Sequence, residues 1–302
     1  MNARDDLTVR AATAAPPAAV FRALTRPEDL RIWLADQVDV DLDAGRYTFG
    51  GPRTPGGAGT QRLVDVTPDR RIRLAWPMAD DETTVDITVA PRHPRGALVV
   101  IDHRRAPRPG PDRAGMLDFW CLSAGNLANH VEGRDTVVAH DFADRPESGS
   151  ARAEIAVHAD IGRVFRALTD PAELDEWIAI TAAVQPWPGG TYDLGWGPDR
   201  GPEVVTAYEA PHRLAYRWRE RDLPATEVVW TLERVGTGTR VRLRHGVFPP
   251  GHSSDQTEIG WKNLLIDLQR RLDAGPFWER TAFRADSAAS AAGGSGATGP
   301  LG

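Results

Sequence analysis

The sequence predicts an α+β protein made of two tandem domains, and three observations predict it. First, VFRALTRPEDLRIW over residues 20–33 recurs in phase as VFRALTDPAELDEW over residues 164–177. The offset of roughly 140 residues is the size of a whole domain. Second, runs of alternating apolar and polar residues follow the repeat at the spacing of β-hairpins. Third, each copy closes on an apolar stretch with the period of a helix.

The two copies also share aromatic positions beyond the repeated segment. The matches pair Tyr47 with Tyr192, Trp76 with Trp218, and Trp120 with Trp261. A chain of 302 residues has room for two such domains. We therefore expect a first domain over 1–143, a linker over 144–150, a second domain over 151–280, and a disordered tail over 281–302 that is rich in Ala, Ser and Gly.

The second copy allows its elements to be placed in order. Residues 152–158 alternate as a strand, and Asp160 is an N-cap residue ahead of an apolar helical pattern. Pro171 begins a second short helix, which ends near Trp177.

A run of strands and one long helix complete the copy. Strand patterns occur at 191–196, 203–208, 212–219, 226–233 and 239–246. A helix over 256–273 then carries Trp261 and four leucines on one stripe. Consecutive strands joined by short turns predict an antiparallel meander, and the sheet and the helix must bury their apolar faces on each other.

Composition excludes several classes of protein. With 41% hydrophobic and 26% charged residues, the chain is typical of a globular protein, and no apolar run is long enough to span a membrane. The first twenty residues lack the apolar core of a signal peptide, so we expect a cytoplasmic protein. The net charge of -6 is spread over both copies, which argues against nucleic-acid binding.

The sequence shows no motif for binding a cofactor or a metal. Cys121 is the single cysteine, so an intrachain disulfide is excluded, and we expect this thiol to be buried on a helix. The chain contains no phosphate-binding loop, no dinucleotide fingerprint, no nucleophile elbow, and no histidine pair at metal-ligand spacing. We expect neither a metal nor a nucleotide cofactor.

The repeated segment, the Gly-x-Tyr strand that follows it and the C-terminal helix with an early tryptophan resemble the SRPBCC or START-like superfamily. Within it they are similar to the group named for the activator of the Hsp90 ATPase. The resemblance covers about residues 7–134 and 151–274. It implies a helix-grip fold, in which a curved sheet and the long helix enclose a cavity for an apolar or aromatic molecule. It does not imply one reaction, because the superfamily includes lipid carriers, hormone receptors and cyclases.

The strand phases predict which side chains face such a cavity. In the second copy they are Tyr192, Trp196, Tyr216, Trp218, Trp230 and His245, with Trp261 on the helix; in the first copy they are Tyr47, Trp76 and His103. A packed core without a ligand is the alternative. Seven of the ten tryptophans lie in the second copy, which favours the second copy as the ligand site.

Two of these residues are weak catalytic candidates. His245 lies in phase with the apolar residues of its strand, where a neutral imidazole can bond a ligand or act as a general base. Tyr192 is the other candidate. Because His103 recurs at the matching place, a purely structural histidine is equally consistent with the pattern.

Three functions remain open. The first is binding of a small hydrophobic or aromatic molecule for carriage, sensing or stress response. The second is an enzyme of the cyclase or dehydratase kind that uses the same cavity. The third is a co-chaperone that binds an Hsp90-type protein, which only the family name suggests, and no residue pattern supports a protein partner.

Overall fold

A computed structural model describes most of the chain. The described residues are 4–57, 59–78, 81–110, 113–143, 149–197, 201–219, 224–275 and 278–287. They form two compact units: the first comprises the described residues up to 143 and those from 278 onward, and the second comprises 149–275. Residues 144–148, most of the predicted linker, lie outside the described part.

The first unit begins with a strand and two short helices, as the repeated segment predicts. Its elements are β1 (Arg4–Thr13), α1 (Pro17–Thr25), α2 (Pro27–Trp33), β2 (Gln37–Asp41), β3 (Arg46–Gly50), β4 (Arg62–Thr67), β5 (Arg71–Met78), β6 (Asp81–Pro91), β7 (Ala97–Pro107) and α3 (Met116–Val131).

The sheet of the first unit is antiparallel throughout. Strands β1, β7, β6, β5 and β4 are neighbours in that order, and β2 pairs with β3 as a separate hairpin. Alternate residues of β6 and β7 are buried, which is the period-two pattern of a sheet with one covered face. Helix α3 contacts β1 and β7, so the core lies between the sheet and this helix.

The second unit repeats the order of elements. They are β8 (Gly149–Val157), α4 (Ile161–Thr169), α5 (Pro171–Trp177), β9 (Ala183–Val184), β10 (Thr191–Asp193), β11 (Glu203–Glu209), β12 (Arg213–Trp218), β13 (Thr226–Val235), β14 (Gly238–Phe248) and α6 (Asp255–Ala274).

Seven antiparallel strands form the sheet of the second unit. Their order is β8, β14, β13, β12, β11, β10 and β9, which is the predicted meander closed by the first strand. Helix α6 contacts β8. The predicted α+β class, with two helix-grip domains in tandem, is confirmed; the two-residue strand β9 has too short a pattern to be predicted.

The capping residues explain why the short helices begin where they do. Asp160 accepts a hydrogen bond from the backbone N–H of Arg163 at 3.1 Å, which confirms the predicted N-cap. Asp170 caps α5 in the same way, accepting from Ala172 N at 2.9 Å. At the ends of α2 and α5, the Trp33 and Trp177 indoles donate to Ala23 and Ala167 carbonyls. These bonds hold each pair of short helices together in the same way in both units.

The C-terminal segment differs from the expectation. Helix α6 ends at Ala274, and the next residue, Gly275, has a φ of 57°, a left-handed conformation that favours glycine. Residues 282–287, which we assigned to a disordered tail, form strand β15 (Ala282–Ser287), paired antiparallel with β1 of the first unit. Composition misled the prediction, because an edge strand gains its backbone hydrogen bonds whatever its side chains are. The rest of the predicted tail, 288–302, lies outside the described residues.

Removing β15 should weaken the first unit selectively. A chain that ends at Gly275 loses the strand that pairs with β1, together with Phe283, which packs against the first core. We expect the free energy of unfolding of the first unit to fall by about 1–2 kcal/mol and the β1 amides to exchange faster. Hydrogen exchange followed by mass spectrometry checks this. The matched control ends at Ser287, and equal exchange of β1 in the two truncated chains would refute the assignment.

Candidate functional site

A chain of hydrogen bonds crosses from sheet to helix in the first unit. His103 on β7 lies between Trp120 of α3 and Thr83 of β6. The Trp120 Nε1–H donates to His103 Nδ1 at 3.1 Å, and His103 Nε2 lies 2.8 Å from Thr83 Oγ1. Thr83 Oγ1 in turn donates to the Trp76 carbonyl oxygen at 2.8 Å. Strand and helix are thereby linked through one buried imidazole.

The second unit has the same chain at the matching positions. Trp261 Nε1–H on α6 donates to His245 Nδ1 at 3.1 Å, and His245 Nε2 lies 2.8 Å from Thr226 Oγ1 on β13. We call these two arrangements the Thr–His–Trp chains. Their recurrence in two units with different cores indicates that they belong to the frame of the fold.

The indole fixes the tautomer of each histidine. Because an indole N–H can only donate, Nδ1 must accept, and the neutral ring carries its proton on Nε2. Burial lowers the pKa of both His103 and His245 from 6.5 to about 3. Both rings are therefore neutral at physiological pH, and both ring nitrogens of each are engaged within the protein.

The predicted site residues of the second unit do come together. Trp218 is central, with ring centroids 5.2 Å from His245, 5.7 Å from Trp261 and 5.8 Å from Trp196. Two further contacts extend the cluster, between Trp230 and Trp261 at 5.6 Å and between the stacked rings of Tyr192 and Tyr216 at 4.5 Å. All of these side chains are buried except Trp196, which is half-buried.

The polar atoms of these residues mostly bond to the protein itself. Tyr192 donates to the Leu168 carbonyl at 3.0 Å, and Trp196 donates to the Ile178 carbonyl at 3.0 Å. In the first unit Tyr47 likewise donates to the Leu24 carbonyl at 2.7 Å. Burial raises the pKa of both tyrosines, so neither hydroxyl ionises near neutral pH.

Phenylalanines pack beside Trp76 in the first unit. Trp76 stacks on His103 at 5.7 Å, and Phe49 packs against Trp76 at 5.0 Å and against Phe119 at 6.5 Å. The count of tryptophans is also less uneven than the sequence suggested: Trp278 falls in the first unit, and Trp187 is 53% exposed. The surplus of indoles therefore does not by itself identify a ligand site.

An open groove of about 410 Å³ lies at one end of the first unit. It runs between the loop after β3, the ends of β5 and β7, and the start of α3. The lining residues are Pro55, Gly56, Thr60, Trp76, Pro77, Met78, Pro107, Arg108, Pro109, Ala114, Gly115 and Met116. Trp76 and Met116 are buried and form the floor of the groove. Beneath this floor, Trp76 packs against Phe49, His103 and Phe119. Arg108 is paired with Asp5 through bonds of 2.7–2.8 Å.

The family of the chain can now be stated. The sequence model described as "Activator of Hsp90 ATPase homolog 1-like protein" matches residues 14–132 and again residues 158–273, more than half of the chain. The chain belongs to this family. The two matches coincide with the two units, as two tandem copies of the family domain require.

Several solved structures are similar to this chain. CalU16 from Micromonospora echinospora is 23% identical over 44% of this chain and 83% of its own, with a TM-score of 0.37. The Aha1 dimer from Colwellia psychrerythraea is 23% identical over 42% of this chain and 98% of its own, with a TM-score of 0.37. DynU16, from the dynemicin biosynthetic locus, is 17% identical over 87% of this chain and 94% of its own, with a TM-score of 0.33. No curated protein matches the chain.

Two further findings concern membrane-spanning helices and metal-binding side chains. No helix within the described ranges has the length and hydropathy of a membrane span. Over the same ranges, no group of three or more His, Cys, Asp or Glu side chains is placed to hold a metal ion. Cys121 is buried on α3, as predicted.

Gln61 and Glu203 are among the polar residues of the interior that sequence reasoning missed. Gln61 immediately precedes β4, and Glu203 is the first residue of β11. Glu203 is in phase with the buried Val205, so its inward direction could have been read from the strand pattern. The pattern cannot show that a carboxylate in that phase is buried, because charged residues at strand ends usually reach solvent.

The neutral histidines should make stability depend on pH. Above pH 6.5 each ring is uncharged in both the folded and unfolded chain. Below that pH the unfolded chain binds protons that the folded chain does not accept until about pH 3. The free energy of unfolding should therefore fall from pH 7 to pH 5, by about 1.4 kcal/mol per pH unit for each histidine once well below 6.5.

Urea unfolding between pH 7 and pH 5 measures this dependence. Gln can accept from tryptophan and donate to threonine, so H103Q and H245Q keep the hydrogen bonds and remove the titration. The double variant should lose most of the slope, and each single variant about half. An unchanged slope in the double variant would contradict the assignment of the neutral rings.

Proposed function

We propose that the protein binds a small hydrophobic or aromatic molecule between the sheet and the C-terminal helix of a helix-grip domain, for carriage, sensing or stress response. The observation that carries the proposal is the groove of the first unit. It opens at the N-terminal end of α3, over the buried ring of Trp76.

The chemistry of the groove suits an apolar ligand. Four prolines and two methionines supply much of the lining, and proline presents apolar surface without a backbone donor. Methionine adapts its shape to irregular ligands. The volume of about 410 Å³ falls in the range of ligand pockets. Since Arg108 is neutralised by Asp5, the groove offers little attraction to an anion.

The hydrogen bonds of the catalytic candidates favour binding over turnover. Both ring nitrogens of His245 are occupied, and the Tyr192 hydroxyl is committed to a main-chain carbonyl. A general base needs a free lone pair within reach of the substrate. Of the residues predicted to bind ligand, Trp76 lines the groove and is proposed as part of its floor. A cyclase or dehydratase would have to use groups other than His245 and Tyr192.

Methionine labelling tests the proposal sharply, because the chain has only three methionines and two of them line the groove. We expect 2-methylnaphthalene to shift the ¹³C-methyl signals of Met78 and Met116 in a saturable titration. A charge at the rim should oppose apolar binding, so Met78→Arg should weaken the affinity about tenfold or more.

Val64→Arg is the matched control. Val64 is exposed on β4 and does not line the groove. Its variant should bind 2-methylnaphthalene with the affinity of the natural chain. Methyl signals that stay fixed up to the solubility limit of the probe, or equal losses in the two arginine variants, would reject the groove as the binding site.

A further inference from the structure

Glu203 is a buried acid on the inner face of the second sheet. It lies opposite Tyr192 on β10, and the register of β11 with β12 places it beside Trp218 on the other side. Its side chain is only 5% exposed. A carboxylate thus stands in the middle of a row of aromatic residues, where a charged group is costly unless it is fully bonded.

Only half of this carboxylate is bonded. Oε1 accepts from the backbone N–H of Arg219 at 3.1 Å, whereas Oε2 is buried and has no hydrogen-bond partner in the part of the chain that the structure describes. The Arg219 guanidinium does not supply one: its Nε lies 3.9 Å away, the side chain is 60% exposed, and its Nη2 donates to the Pro202 carbonyl. An ion pair at this distance with an exposed arginine contributes little.

A second buried polar group on this inner face is the Tyr216 hydroxyl. Tyr216 is on the neighbouring strand β12, on the same inner face. Its oxygen accepts from Trp230 Nε1–H at 3.3 Å, and among the described residues nothing accepts its own proton. Burial raises the pKa of Tyr216, and the nearby Glu203 carboxylate adds to that rise. The inner face of the second sheet thus carries one buried acceptor and one buried donor that the described residues leave unused.

The first unit has a half-bonded side chain at the matching position. Gln61 precedes β4, beside Trp76 on β5 as Glu203 is beside Trp218. Its Oε1 accepts from Phe49 N at 2.9 Å, and its Nε2 is buried and lacks a partner within the described ranges. Both copies therefore place a side chain with one bonded and one unbonded polar atom beside this tryptophan.

We propose that the second domain recognises a hydroxyl group on an otherwise apolar aromatic molecule. Glu203 Oε2 accepts the hydroxyl proton, and the Tyr216 hydroxyl donates to the hydroxyl oxygen. Both unused groups are satisfied by this one ligand group, which an ether or a hydrocarbon cannot achieve. The inference rests on the proposed function, namely that an apolar molecule enters the space between sheet and helix.

Three naphthalenes separate the two proposals in the full chain. 2-Naphthol carries the donor, 2-methoxynaphthalene keeps the oxygen but loses the donor, and 2-methylnaphthalene has neither. ¹⁵N indole signals of Trp218 and Trp230 report binding in the second domain. We expect 2-naphthol to bind there about tenfold or more tightly than 2-methoxynaphthalene, the effect of one hydrogen bond to a carboxylate.

Glu203→Gln should remove this preference. The glutamine oxygen keeps the bond from Arg219, as Gln61 keeps the bond from Phe49, so an N–H replaces the free acceptor. The variant should also melt at a higher temperature than the natural chain, because it removes a buried, half-bonded acid. A structural carboxylate would produce the opposite shift. Glu209→Gln, an exposed change on the same strand, is the control that should alter neither property.

Each outcome decides one proposal. A hydroxyl preference that Glu203→Gln removes supports the inference. Equal binding of the three naphthalenes, or a preference that survives Glu203→Gln, overturns the hydroxyl site and leaves the binding function intact. If none of the three perturbs the tryptophan signals of the second domain or the methionine signals of the first, both the hydroxyl site and the proposed function are rejected.

Discussion

The hydrogen bond from a helix tryptophan to a strand histidine is the constraint on which each domain depends. Trp120 and Trp261 lie in the early turns of α3 and α6, and each donates to a neutral imidazole beneath it. A buried imidazole can stay only if both nitrogens are bonded. The bond therefore fixes the position of the helix along the sheet. The threonine on the next strand is the hydrogen-bond partner of the second ring nitrogen.

With that frame in place, the two copies have diverged in what surrounds it. Phe49 and Phe119 fill the first interior, whereas Tyr216 and Trp230 occupy the second. The polar residue beside Trp76 in the first copy is the amide Gln61, and the polar residue beside Trp218 in the second copy is the acid Glu203. Two domains that bind different ligands need the same Thr–His–Trp chain and different side chains between the sheet and the helix. Those side chains can change without moving the helix. A shared frame with two ligand chemistries is consistent with both proposals.

Much of this architecture could be predicted from the sequence, and the reasons for the rest are physical. The in-phase repeat and the strand period predicted the sheets, the long helix and the inward direction of His245. They could not predict its partners, because Thr226 and Trp261 meet it only through strand register and helix packing. Strand β15 carries one large apolar residue, Phe283, and depends on pairing with a strand far away in the chain. The groove draws on separate segments and has no local pattern.

The state of the two imidazoles tests this account most directly. Long-range ¹H–¹⁵N correlation spectra of the full chain report which ring nitrogen carries the proton and whether the ring is charged. The account predicts that His103 and His245 are neutral, with the proton on Nε2, and remain so at pH 5. Imidazolium signals at pH 5, or a proton on Nδ1 of either ring, would contradict the hydrogen bond from tryptophan and with it the frame of both domains.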